Sequence, residues 1–111
     1  MYIMDIYKYI FEKVGEFDWD TGNINKNQDK HEVNVNECEE VFFNTPVLIQ
    51  NDEKHSEKEK RFSVLGRSND DRYLYLVFTI RRNKIRVISA RDQSKKERVI
   101  YKAMIIKEKI L

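Results

Sequence analysis

Apolar and polar positions alternate along residues 72–81. Leu74, Leu76, Phe78 and Ile80 fall on one face of an extended chain, and Tyr73, Tyr75, Val77, Thr79 and Arg81 on the other. A period of two predicts a strand with one face against a core and the other open, bearing aromatic rings and a guanidinium. Residues 61–67 read as a preceding strand. Arg82-Asn83 closes a short hairpin into a third strand over 84–90, since Asn tolerates positive φ. Ser94-Lys95-Lys96-Glu97 has the spacing of a capping box, so a helix starts near Lys95. Its buried stripe is read as Val99, Ala103, Ile106 and Ile110, spaced by four, three and four.

The first half is patterned differently. Ile3, Ile6, Tyr7, Ile10, Phe11 and Val14 follow the spacing of an amphipathic helix that Gly15 ends. Residues 16–19 read as a short edge strand and 21–30 as a weak helix. Asn36 is an N-cap for a helix through Phe42, which Pro46 stops. Val47-Leu48-Ile49 suits a buried strand. Residues 51–60 form a charged connector in which Ser56 caps one helical turn. No internal repeat or domain boundary interrupts the chain. The expectation is one α+β domain over residues 1–111, with residues 1–15 a helical extension and helices packed on one face of a small antiparallel sheet.

Composition adds limits. The 111 residues are enough for one modest core, and 41% hydrophobic with 12% aromatic residues favours folding over disorder. A lone cysteine, Cys38, rules out an intramolecular disulfide and fits a reducing cytoplasm. No apolar run approaches the roughly 18 residues of a membrane span. The net charge of +2 hides an asymmetry: residues 1–60 hold 7 Lys and Arg against 14 Asp and Glu, and residues 61–111 hold 14 against 5. All eight arginines lie at or after Arg61. Arginine's planar fork suits phosphate, and a basic half with aromatic strands suits RNA. The alternative is a solvated surface that the acidic half balances.

Several blocks together carry a family resemblance. Trp19-Asp20, Lys30-His31, Glu40-Val41-Phe42, the run from His55-Ser56 to Glu59 and Arg61, the run 85–91, Glu97-Arg98 and Tyr101 stand in the order and spacing of the BrnT toxins. The resemblance runs from about Phe17 to Tyr101. It implies a ribonuclease toxin of a type II toxin–antitoxin pair with a fold similar to the RelE-like nucleases. It also implies a BrnA-like antitoxin partner whose ribbon-helix-helix part, rather than the toxin, binds operator DNA. The chain departs from the family at Asn23, where many members carry Lys, and at Glu32, where Gly often follows the Lys-His pair.

A metal-independent ribonuclease attacks phosphorus with the RNA's own 2′-OH. It needs a base, an acid and cations for the developing charge. With His31 and His55 the only histidines and no paired cysteines, a zinc site is not expected, nor is a cofactor. His31 is the candidate acid or base, or else a helix-end hydrogen-bonding residue. Arg61, Arg81 and Arg91 are the candidate phosphate cations, with Glu59 in support; the alternatives are a plain ion pair of Glu59 with Arg61, two residues on, and solvated edge charges for the arginines. Lys30, Arg86 and His55 are candidate RNA contacts, and Tyr73 and Tyr75 candidate stacking platforms. Tyr101 either supplies a hydroxyl or belongs to the core. The competing function is a non-catalytic nucleic-acid- or protein-binding module on the same fold.

Overall fold

The computed structural model describes residues 16–22, 24, 31–55 and 58–110. The expected N-terminal helix, the Ser56 cap and most of the weak helix over 21–30 lie outside them. The strands are β1 (Glu16–Phe17), β2 (Leu48–Asn51), β3 (Arg61–Arg67), β4 (Tyr73–Arg81) and β5 (Lys84–Asp92). Helix α1 (Val35–Val41) precedes β2, a 3-10 turn (Glu53–His55) follows it, and helix α2 (Lys95–Ile110) ends the chain. The strands form one sheet in the order β1-β5-β4-β3-β2. Only β1 is parallel to its neighbour. The α+β class and the three central strands are as expected.

Local chemistry sets the boundaries. The hairpin turns on Arg82 and Asn83 at φ 52° and 62°, the pair of positive values that matches strand twist in a two-residue turn. Arg81 pairs with Lys84 across it. Helix α2 starts at Lys95 because Ser94 and Glu97 cap each other: the Ser94 N–H donates to Glu97 Oε1 (2.7 Å) and the Glu97 N–H to Ser94 Oγ (3.2 Å). The cap of α1 is Asn34 rather than Asn36. Asn34 Oδ1 accepts from the Glu37 N–H at 2.8 Å, and the Glu37 carboxylate accepts from the Asn34 N–H at 3.2 Å. Both asparagines have a glutamate three residues on, but the glutamate that would serve Asn36, Glu39, accepts instead from the Trp19 indole (2.8 Å).

The two helices lie on opposite faces of the sheet, not on one. Val33, Cys38, Val41 and Phe42 pack on the face formed by Phe62, Val64, Leu74, Leu76, Phe78, Ile85 and Val87. Helix α2 lays Tyr101, Met104 and Ile105 against Leu48, Leu65, Tyr73 and Tyr75 on the other side. Both faces of β2 and β3 are therefore apolar at this end, as the adjacent buried pairs Leu48-Ile49 and Val64-Leu65 require. The buried stripe of α2 also differs from expectation. Val99 and Ile106 are 66% and 59% exposed, while Tyr101, about 200° around the helix from Val99, is fully buried. Its hydroxyl donates to the Pro46 carbonyl at 2.7 Å, so Tyr101 belongs to the core. Gly66 lets α1 approach β3: a Cβ there would sit 2.5 Å from Val41 Cγ1.

One irregularity matters beyond packing. Val77 pairs with Ser89 but Phe78 pairs with Val87, leaving Ile88 as an extra residue in β5. The bulge reverses the parity of the strand. Before it, Ile85 and Val87 face the core; after it, Ala90 does, and Ser89 and Arg91 turn outward with Val77 and Tyr75.

Candidate active site

The bulge places Arg86 and Arg91, an odd number of residues apart, on the same face. Register then lays out that face in rows. Arg61, Thr79 and Arg86 are direct cross-strand neighbours, as are Ser63, Val77 and Ser89, and then Leu65, Tyr75 and Arg91. With strands about 4.8 Å apart, the Arg61 and Arg86 backbones lie about 10 Å from each other across Thr79. Helix α2 closes the end of the face beyond Tyr75; at the other end Thr79 is buried and the Arg86 side chain is 17% exposed, with Asp18 and Asp20 laid against it.

Where α2 begins, a cleft of about 280 Å³ opens between Gln50, Asp52, Ser63, Leu65, Tyr75 and Glu97. The Arg91 guanidinium lies over the Tyr75 ring, 4.0 Å from its centroid, a cation–π contact. Its two terminal nitrogens also grip the Glu97 carboxylate at 2.7 and 3.1 Å. Glu97 is thus both the capping residue of α2 and the counter-ion of Arg91. Burial works against its charge, but the hydrogen bonds from Arg91 and Ser94 prevail and hold its carboxyl below the usual range. Burial pushes the Tyr75 hydroxyl up, despite nearby Arg91 and a hydrogen bond shared with Ser63. Tyr75 therefore keeps its proton at neutral pH.

The charge asymmetry of the chain resolves into ion pairs between its halves. Asp18 and Asp20 reach Arg86 at 3.6 and 2.9 Å, and Glu59 forks onto Arg81 at 3.0 Å. Glu37 meets Arg72 at 3.2 Å. The outer face is cationic but already furnished with carboxylates, which a phosphate must replace.

The expected site residues divide among three places. Arg61, Arg81, Arg86 and Glu59 gather at the hairpin end of the face. Tyr75 and Arg91 lie about 13 Å along β4 from that row, counting four residues from Thr79. Tyr73 carries Tyr101 on its ring, 5.3 Å between centroids, so α2 occupies that platform. His31 is at the same end of the sheet as Arg91 but on the α1 side. Arg72 binds the carbonyls of His31 and Glu32 (3.1 and 2.9 Å) and clasps Asp92 (2.8 Å), tying the segment before α1 to β4 and β5. That clasp holds the Asp92 carboxyl below its usual range. Glu32 has φ 54°, a left-handed conformation in which glycine is unstrained, which fits the glycine that often follows the Lys-His pair in the toxins this chain resembles. Lys30, Asn23 and the His55 side chain lie outside the described residues.

Sequence reasoning left Gln50, Asp52 and Ser63 out of the site, and took Glu97 only as a cap. The one available signal was Glu97 itself, present both in the capping box and in the resemblance; the other three are ordinary polar residues until register brings them beside Tyr75. Comparison with curated proteins gave no match. The family model described as "Ribonuclease toxin, BrnT, of type II toxin-antitoxin system" matches residues 19–97, which contain strands β2–β5 and the Tyr75, Arg91 and Glu97 cluster. With the match spanning most of the chain, this protein belongs to the BrnT family of ribonuclease toxins of type II toxin–antitoxin systems.

Proposed function

We propose that the protein is an endoribonuclease that cleaves RNA without metal, using the substrate's own 2′-OH, and arrests growth until its antitoxin binds. The observation that carries this reading is the seating of Arg91 on Tyr75 in the grip of Glu97, at the rim of an open cleft. RNA lies along the outer face, with a base against Tyr75 and flanking phosphates at Arg61 and Arg86. The scissile phosphate draws Arg91 from Glu97. Glu97, released from its cation, accepts the 2′-OH proton. O2′ then bonds to phosphorus, the P–O5′ bond breaks, and the Tyr75 hydroxyl protonates the leaving 5′-oxygen, leaving a cyclic phosphate. Arg91 meets the charge that grows on phosphorus, the kind of stabilisation that usually contributes most to such reactions. His31 is the alternative proton donor or acceptor. The antitoxin in this reading is BrnA-like, with a ribbon-helix-helix part that binds the operator.

The test is RNA degradation by the purified chain in chelator. Activity should persist, and folded Arg91→Ala and Tyr75→Phe variants should each lose more than about tenfold, or ~1.4 kcal/mol of barrier, while His31→Ala keeps most activity. Loss of activity with chelator overturns the metal-free route. A fully active Arg91→Ala overturns the site, and an inactive His31→Ala moves proton transfer to the other face. RNA binding without cleavage by the wild-type chain would leave a binding module.

A further inference from the structure

Four large hydrophobic side chains are exposed among the described residues, and three of them, Val99, Ile100 and Ile106, are on α2. Val99, Ala103 and Ile106 follow i, i+4, i+7 spacing, so they form one stripe. The stripe points away from the sheet, opposite Tyr101. At about 100° per residue, Lys95, Arg98, Lys102 and Lys109 line one flank, and Lys96 and Lys107 the other. Arg81, Arg86 and Arg91 of the sheet each meet a carboxylate, whereas none of these six cations takes part in a salt bridge among the described residues; Arg98 acts on Asp92 through space and Lys102 lies 6.0 Å from the Tyr73 ring centroid. Both acidic residues of the helix are turned to the body, Glu97 to Arg91 and Glu108 to Thr45 (2.9 Å).

We infer that this stripe is the docking surface for an acidic amphipathic helix of the antitoxin, an inference that rests on the toxin–antitoxin reading. Charge selects the occupant. A second copy would set six cations against six, which opposes pairing. The chain's own residues 1–14 bring Asp5 and Glu12 with Lys8 and Lys13, and so no surplus of carboxylates. A partner with an apolar ridge bordered by Asp and Glu satisfies both the stripe and its flanks. Such a helix in a groove or on a face is read through anchors three and four residues apart, the spacing found here. The start of α2 also frames the cleft through Glu97, so a helix lying on the stripe ends beside the RNA site and blocks access without filling it.

The experiment measures affinity between the full-length chain and the antitoxin encoded beside it, for wild type, Val99→Asp/Ile106→Asp and Lys102→Glu/Lys109→Glu. Both substituted pairs are on the surface, and melting curves and RNA cleavage check that they fold. The expected result is a loss of about a hundredfold for the apolar pair, the scale of an interface hot spot. The charge-reversed pair should also bind weakly, with a flatter salt dependence, and both should cleave RNA that the antitoxin no longer protects. Undiminished affinity in both variants overturns the docking surface and leaves the toxin–antitoxin reading intact; no binding by wild type overturns both. A wild-type dimer that the apolar pair dissolves assigns the stripe to self-association. Binding to anionic vesicles that the pair abolishes assigns it to a membrane surface, and a lowered melting temperature with unchanged affinity assigns it to the chain's own residues. Each of these three overturns the proposal.

Discussion

Replacing Glu97 tests the link between folding and chemistry at one residue. Its carboxylate accepts from the Ser94 N–H at 2.7 Å and from Arg91 at 2.7 and 3.1 Å. Glu97→Ala removes the return half of the capping box, worth about 1 kcal/mol. It also removes a bidentate ion pair whose side chains are 22% and 38% exposed; with solvent screening that adds about 0.5–1 kcal/mol. The sum, about 1.5–2 kcal/mol, lowers the melting temperature by roughly 5–10 °C in a chain of this size. Glu97→Gln keeps an acceptor for Ser94 and should recover more than half of the loss. Neither variant supplies a carboxylate base, so both should lose cleavage while their freed Arg91 holds RNA at least as tightly as wild type. The pH dependence has a definite sign. The folded-state pKa of Glu97 is depressed, so its contribution is complete above the unfolded value of about 4.3 and is lost as pH falls through the folded value. The gap in stability between wild type and Glu97→Gln should therefore close in acid. Differential scanning fluorimetry from pH 3 to 7 and a fluorescent RNA assay suffice. An Ala variant that melts within about 1 °C of wild type refutes the structural half of the reasoning, and one that cleaves normally refutes the catalytic half.

Three further outcomes follow from the packing. Gly66→Ala should cost about 1–3 kcal/mol by urea denaturation, because the new Cβ meets Val41 Cγ1 at 2.5 Å and the Val41 carbonyl oxygen at 3.2 Å, and α1 must back away. Tyr101→Phe should cost about 1–2 kcal/mol without affecting cleavage, since it strips the Pro46 carbonyl of its buried donor; a large loss of activity at unchanged stability would return Tyr101 to the catalytic machinery. Burial, with Glu37 and Glu39 adding to it, pushes the Cys38 thiol up to about 12, so the native protein should react with a thiol reagent far more slowly at pH 8 than the urea-unfolded chain.

What the sequence by itself determined was local. Alternation marked Leu74, Leu76 and Phe78 for the core, Arg82-Asn83 for the turn and Ser94 with Glu97 for the start of α2, because periodicity, positive φ and capping act within a few residues. The blocks shared with the family, from Trp19-Asp20 to Glu97, identified the toxin class without any knowledge of where they meet. The tertiary structure decided the rest. Asn34 and Asn36 both precede a glutamate by three residues, and contacts distant in the chain distinguish them: the Trp19 indole takes Glu39, and Arg72 binds Glu37 and the Glu32 carbonyl before the cap. The stripe of Val99, Ala103 and Ile106 has helical spacing, yet Tyr101, Met104 and Ile105 are the side that fits the groove of Leu48, Leu65 and Tyr73; spacing shows that a helix has faces but not which one finds a surface. The excess of cations in residues 61–111 is partly met by carboxylates distant in the chain: Asp18 and Asp20 for Arg86, Glu37 for Arg72, and Glu59 for Arg81, twenty-two residues on. The site itself depends on Ile88. Strict alternation puts Arg91 on the same side as Ile85 and Val87, in the core, and one extra residue opposite the Val77-Phe78 step turns it onto Tyr75. A bulge is set by the pairing partner as much as by its own strand, so this decision is made only when β4 and β5 come together.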